Sequence, residues 1–140
     1  MATGYLYQTE DEAVEALRAL PGFTEDVTGD ACIGDEVAFA RATFSGSYRR
    51  PRFAGYEIVC GTIIRDSYGS KMQQHTFTIE TDGGEVRIKG RNLYSVLTLA
   101  KPRDEWERRA ALAEKHRRGD AARSARERRR ELGLREGWVE

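Results

Sequence analysis

A chain of 140 residues and 15.8 kDa holds one core with an appendage, and 39% hydrophobic against 33% charged residues leaves part of it outside any core. A formal net charge of zero conceals an acidic head: residues 1–36 carry nine carboxylates against Arg18 alone, 37–100 nine bases against five acids, and 101–140 thirteen bases against nine acids. Two cysteines, Cys32 and Cys60, with no close pair or spaced histidine pair exclude a standard structural zinc site, and no apolar run approaches the about 20 residues of a membrane span; buried thiols in an intracellular, reducing compartment are expected.

In chain order, Thr9-Glu10-Asp11-Glu12 forms a capping box, the Thr9 hydroxyl accepting from the Glu12 amide while Glu12 reaches back to the Thr9 amide. Ala13, Val14, Leu17 and Leu20 then make one helical stripe, which Pro21-Gly22 ends. Residues 23–34, rich in Gly, Asp and Thr, read as a loop turning at Ile33-Gly34-Asp35. The first strand spans 36–44, with Ala38, Ala40, Ala42 and Phe44 on one face and Val37, Phe39, Arg41 and Thr43 on the other, so its inward face stays open. Residues 45–55 read as a long basic connection.

The stretch 56–94 holds the strongest strand signal. Residues 56–66 approach a continuous apolar run, with Gly61 permitting a bend. After a loop over 67–71, Gln73, His75, Phe77, Ile79 and Thr81 share one strand face and Gln74, Thr76, Thr78 and Glu80 the other. Asp82-Gly83-Gly84 turns the chain into 85–89, where Val86 and Ile88 alternate with Arg87 and Lys89. Gly90-Arg91-Asn92 breaks the alternation before 93–99.

Pro102 marks a boundary. Asp104 and Glu107 repeat the capping pattern, and Trp106, Ala110 and Ala113 form a thin stripe suited to docking. From 121 onward helix propensity continues without an apolar face, which predicts a tail dispensable for folding, with Trp138 the one residue able to pin it back.

These elements predict an α+β unit: a small antiparallel β-barrel or curled sheet of SH3-like size over 1–101, with an N-terminal helix and a charged helical extension over 102–140. A sandwich would need about seven strands. The peptides DSYGSKMQQHTFTIE, IKGRNLY and EKHRRGDAARSARE, within 34–130, resemble an uncharacterised domain of plant proteins that also carry a SAP module or CCCH zinc fingers. The resemblance implies association with DNA- or RNA-handling proteins. This sequence contains neither module, so their nucleic-acid binding does not carry over.

The candidate site gathers Arg49, Arg50, Arg52, Lys71, Arg87, Lys89 and Arg91 with Tyr48, Phe53, Tyr68, Asn92 and Tyr94. Cationic groups neutralise phosphates and aromatic rings stack on unpaired bases, so the pattern points to DNA or RNA; the same residues would also serve as a solvated strand face and solubilising loops. Gly90-Arg91-Asn92 offers donors for a phosphate, or a simple turn. His75 is expected as a core histidine, and no paired carboxylates accompany it or His116, so no catalytic residue, metal or cofactor is expected. The alternative is a protein-interaction or inhibitor module acting through its segregated acidic and basic surfaces.

Overall fold

The first long strand has two inward faces. In the computed structural model, which describes residues 4–68 and 75–117 but not the side chains of Tyr68 and His75, β2 (Glu36–Ser47) buries Val37 and Phe39 on one side and Ala38 and Ala40 on the other. The small alanines let helix α1 (Glu10–Arg18) settle on their face, where Ala13, Leu17, Phe23, Ile58, Leu97 and Leu99 complete one core. On the opposite face Phe39 meets Val59, Ile63, Phe77, Ile79, Ile88 and Leu93 in a second core. The open question about the inward face of this strand is thereby answered: alternation cannot select a face when both are covered.

Six antiparallel strands follow the order β1-β6-β2-β3-β4-β5, with β1 (Glu25–Asp26), β3 (Arg50–Tyr68), β4 (His75–Thr81), β5 (Gly84–Lys89) and β6 (Thr98–Ala100). The antiparallel sheet and N-terminal helix agree with expectation. Of the two forms expected, barrel or curled sheet, closure is not seen: the ladder ends at β1 and β5, so among the described residues this is an open sheet of six strands, β1 and β6 being very short. A single helical turn, α2 (Gly90–Leu93), packs against β2, β4 and β5 where a barrel would have joined. After the break at Gly90-Arg91-Asn92, strand structure resumes only at Thr98–Ala100, because Leu93 belongs to that turn and Ser95 donates back to the Asn92 carbonyl.

Helix α1 begins as its sequence dictates, the Glu12 amide donating to Thr9 Oγ1 at 3.1 Å. The Glu12 carboxylate reaches one residue further than a capping box requires, accepting from the Gln8 amide at 3.3 Å. Three acids in the first turn favour the N-terminal dipole, and Gly22, at φ 84, takes the left-handed conformation after the helix.

Strand β3 carries two irregularities that decide which side chains meet. Its pairing with β2 skips Ala54, and its pairing with β4 skips Ile64. Each skipped residue is a bulge that reverses the side-chain faces beyond it. Gly61 serves close approach rather than bending: a Cβ there would lie 2.5 Å from the Glu80 carbonyl oxygen and 2.7 Å from Ile79 Cγ2.

The helix α3, over 105–117, opens with the Glu107 amide donating to Asp104 Oδ1 at 2.9 Å. It docks through a face other than the expected one. Trp106 is 79% exposed and Ala110 and Ala113 point to solvent, whereas Arg108, Ala111, Leu112 and Lys115, at the same helical spacing, turn inward. The reason is electrostatic. Asp35, 1% exposed, accepts from the Cys32 amide at 3.0 Å and from Arg108 Nε and Nη2, each at 3.2 Å, while Arg103 Nε lies 3.2 Å away as an ion-pair partner. Arg108 also donates to the Asp30 carbonyl, and buried Lys115 to the Ala31 carbonyl at 2.9 Å, with its ammonium over the Phe77 ring. Removing one partner of such a buried pair typically costs about 3–5 kcal/mol. Residues 118–140, which include the tail from 121 and Trp138, lie outside the described residues.

Candidate nucleic-acid interface

Residues 45–55, expected as a loose connection, form the outer part of a long hairpin. Ser45 pairs with Arg52, Gly46 with Pro51 and Ser47 with Arg50, which leaves only Tyr48-Arg49 as the loop. Beyond Arg41 no other strand of the sheet pairs with either: β6 reaches only Val37–Phe39 on one side, and β4 pairs with β3 only from Thr62 onward on the other. An arm two strands wide therefore projects from the sheet. Its base is braced by the N-terminal segment, where Tyr7 forms a bridge with Tyr56 and Gln8 Nε2 donates to the Ala54 carbonyl at 3.2 Å. Gly55, at φ 141, permits that approach; a Cβ would fall 2.8 Å from Leu6 Cβ.

The two faces of the arm differ in chemistry. The bulge at Ala54 brings Phe53 opposite Phe44, on the face that carries Ala42 and Tyr56. The rings form a row, Phe44 to Phe53 at 6.1 Å between centroids and Phe53 to Tyr56 at 5.1 Å. Phe44 is 63% exposed, Phe53 46% and Tyr48 fully so. Arg50 and Arg52 take register positions on the other face, shared with Arg41. From 42 to 56 there are three arginines and no acid.

At the arm's root a groove of about 460 Å³ opens between β2, β5 and α2. Phe44 and Arg41 line one wall, and Arg87, Lys89, Arg91 and Asn92 contribute to the other. Arg41 is neutralised by Glu57, to which it donates through Nε at 2.9 Å and through Nη2. Among the described residues no carboxylate pairs with Arg87, Lys89 or Arg91, so these three supply the groove's positive potential.

The structure thus brings nine of the sequence candidates to two neighbouring places: Tyr48, Arg49, Arg50, Arg52 and Phe53 on the arm, and Arg87, Lys89, Arg91 and Asn92 at the groove. Tyr94 stands apart. Half-buried, it packs edge-on against Phe77 and its hydroxyl accepts from the Ala31 amide at 3.1 Å; burial pushes the phenol up to about 12. Its ring belongs to the core. Lys71 and the Tyr68 side chain lie outside the described residues, as does the His75 side chain. Phe44 is absent from the sequence candidates because its alternation with Ala38, Ala40 and Ala42 leaves open whether it faces inward; the signal for it is the absence of any acid between it and Tyr56.

The arm's acidic neighbour bounds the site. Tyr56 donates to Glu10 Oε1 at 3.3 Å, and burial together with that carboxylate raises its phenol above the ordinary value. Glu10, Asp11 and Glu12 therefore stand at one end of the ring row and the groove cations at the other. No helix among the described residues is long and apolar enough to cross a membrane.

Comparison with known proteins gives this surface a family. The chain is 42% identical over 121 residues to the zinc finger CCCH domain-containing protein 62 of Oryza sativa subsp. japonica, a match that takes in 75% of this chain and 17% of that protein. No solved structure matches. Residues 32–106, which include the whole arm and the groove, match the family described as Domain of unknown function (DUF7699), and the chain belongs to that family.

Proposed function

We propose that this domain is a non-catalytic nucleic-acid-binding module that works through the arm and the groove at its root. One observation carries the reading: three arginines and three exposed rings project on an arm that has no acid and that, among the described residues, is flanked by no other strand of the sheet past its braced base. Exposing large rings costs solvation that the fold does not recover, and a ligand with anionic and aromatic parts offsets both features at once. The groove cations extend the same potential. A relative named for CCCH zinc fingers supports the reading without proving it for this chain.

The test is a binding panel of single- and double-stranded DNA and RNA at low and moderate salt. Binding is expected to fall with salt on a log-log line whose slope counts several phosphates. Failure to bind any of the four at low salt overturns the proposal and returns the protein-interaction reading.

A further inference from the structure

Resting on the nucleic-acid reading, we infer that the ligand is a single strand, with unpaired bases stacked on Phe44 and Phe53 and phosphates met by Arg50, Arg52 and the groove cations. The ring row is the first ground. Phe44 and Phe53 meet at 71° and Phe53 and Tyr56 at 65°, edge contacts rather than stacks, and Phe44 and Phe53 remain 63% and 46% exposed. In a duplex the faces of the bases are already covered by their neighbours. Unpaired bases can meet these rings face to face without the cost of prying a stack apart.

The second ground is the arrangement of rings and charges. Rings and arginines take opposite faces of a two-stranded arm that no other strand of the sheet flanks past Thr43 on one side and Ala54 on the other. A ligand that uses both must bend round an edge within a few nucleotides. Duplex DNA, with a persistence length of about 50 nm, resists such a path, whereas a single strand follows it.

The third is direction. Phe44 belongs to the ring row and also lines the groove that holds Lys89 and Arg91, while the opposite end of the row meets Glu10. A polyanion laid on the rings is repelled at Tyr56 and drawn at Phe44, so the strand leaves the arm over the groove.

Fluorescence anisotropy with a labelled mixed-sequence 20-nucleotide strand, as DNA and as RNA, and with its duplex tests this. The full chain should prefer a single strand by about tenfold or more. Phe44→Ala and Phe53→Ala should each weaken single-strand binding by about tenfold while leaving the salt slope and duplex binding unchanged. Phe44→Leu, which keeps an apolar side chain but removes the ring, should behave as Phe44→Ala does. Arg50→Ala with Arg52→Ala should instead lower the slope by about 1.4, at about 0.7 per phosphate. A duplex bound as tightly as the strand, or phenylalanine variants that bind normally while the arginine pair weakens binding, overturns the single-strand inference and leaves nucleic-acid binding standing. Absence of binding to every probe overturns both.

Discussion

Asp35 was legible only as the end of a turn, although it anchors the C-terminal helix. Its partners Arg103 and Arg108 lie 68 and 73 residues away, a separation over which neither periodicity nor local motif carries information. Asp35→Asn leaves two partly buried guanidiniums without their countercharge and is expected to lower unfolding free energy by about 3–5 kcal/mol in urea titrations. A second prediction concerns alkaline stability. Burial, reinforced by the Asp35 carboxylate, pushes the Cys32 thiol up to about 11, while an exposed thiol titrates near 9. The unfolded chain therefore releases this proton first, so the contribution is complete below pH 9 and is lost as pH rises through 11. Tyr94 acts in the same sense between 10 and 12, and buried Lys115, held below 10.5 by its burial, acts in the opposite sense. Melts at stepped pH should show wild type losing about 2–3 kcal/mol more than Cys32→Ala between pH 9 and 11.

The β4–β5 hairpin and helix α1 were readable because each is specified within a few residues, by Asp82-Gly83-Gly84 in one case and by Thr9 in the other. The arm was not, because it lacks an inner face. Thr43, Ser45, Ser47 and Arg50 give no apolar alternation, and its strands are held by their ladder, the ring row and the braced base rather than by a core. The independence of its outer part, 45–52, from both cores leads to a prediction. Replacing 45–52 by a tight two-residue turn should leave the melting temperature within a few degrees of wild type and abolish most nucleic-acid affinity. Helix α3 behaves in the opposite way: truncation after Pro102 strips Asp35 and the Ala31 carbonyl of their cations. Calorimetry should show a large fall in melting temperature, comparable with Asp35→Asn, and this difference separates the docked helix from the arm.

Over the whole molecule, the acidic head and basic body anticipated from residue order became opposed poles, with α1 acids on one side of the arm and groove cations on the other. Glu10→Gln with Asp11→Asn should tighten polyanion binding several-fold at 50 mM salt and very little at 500 mM, where the Debye length is shorter than the span of the arm. The choice between barrel and curled sheet stayed open in the sequence for a reason at this scale too: strand signals count elements, but whether the last meets the first depends on α2, a four-residue turn with no strong signature. The two bulges of β3 also govern how this family can change over time. A residue inserted or lost between Ala54 and Ile64 would invert every side chain on one side of the change, exchanging Phe53 for Arg52 on the arm or Asp66 for Arg65 beneath Lys115. Length differences among relatives should therefore gather at the Tyr48-Arg49 tip and the Asp82-Gly83 turn, where an added residue shifts no register, while the middle of β3 keeps its length even as its residues are replaced.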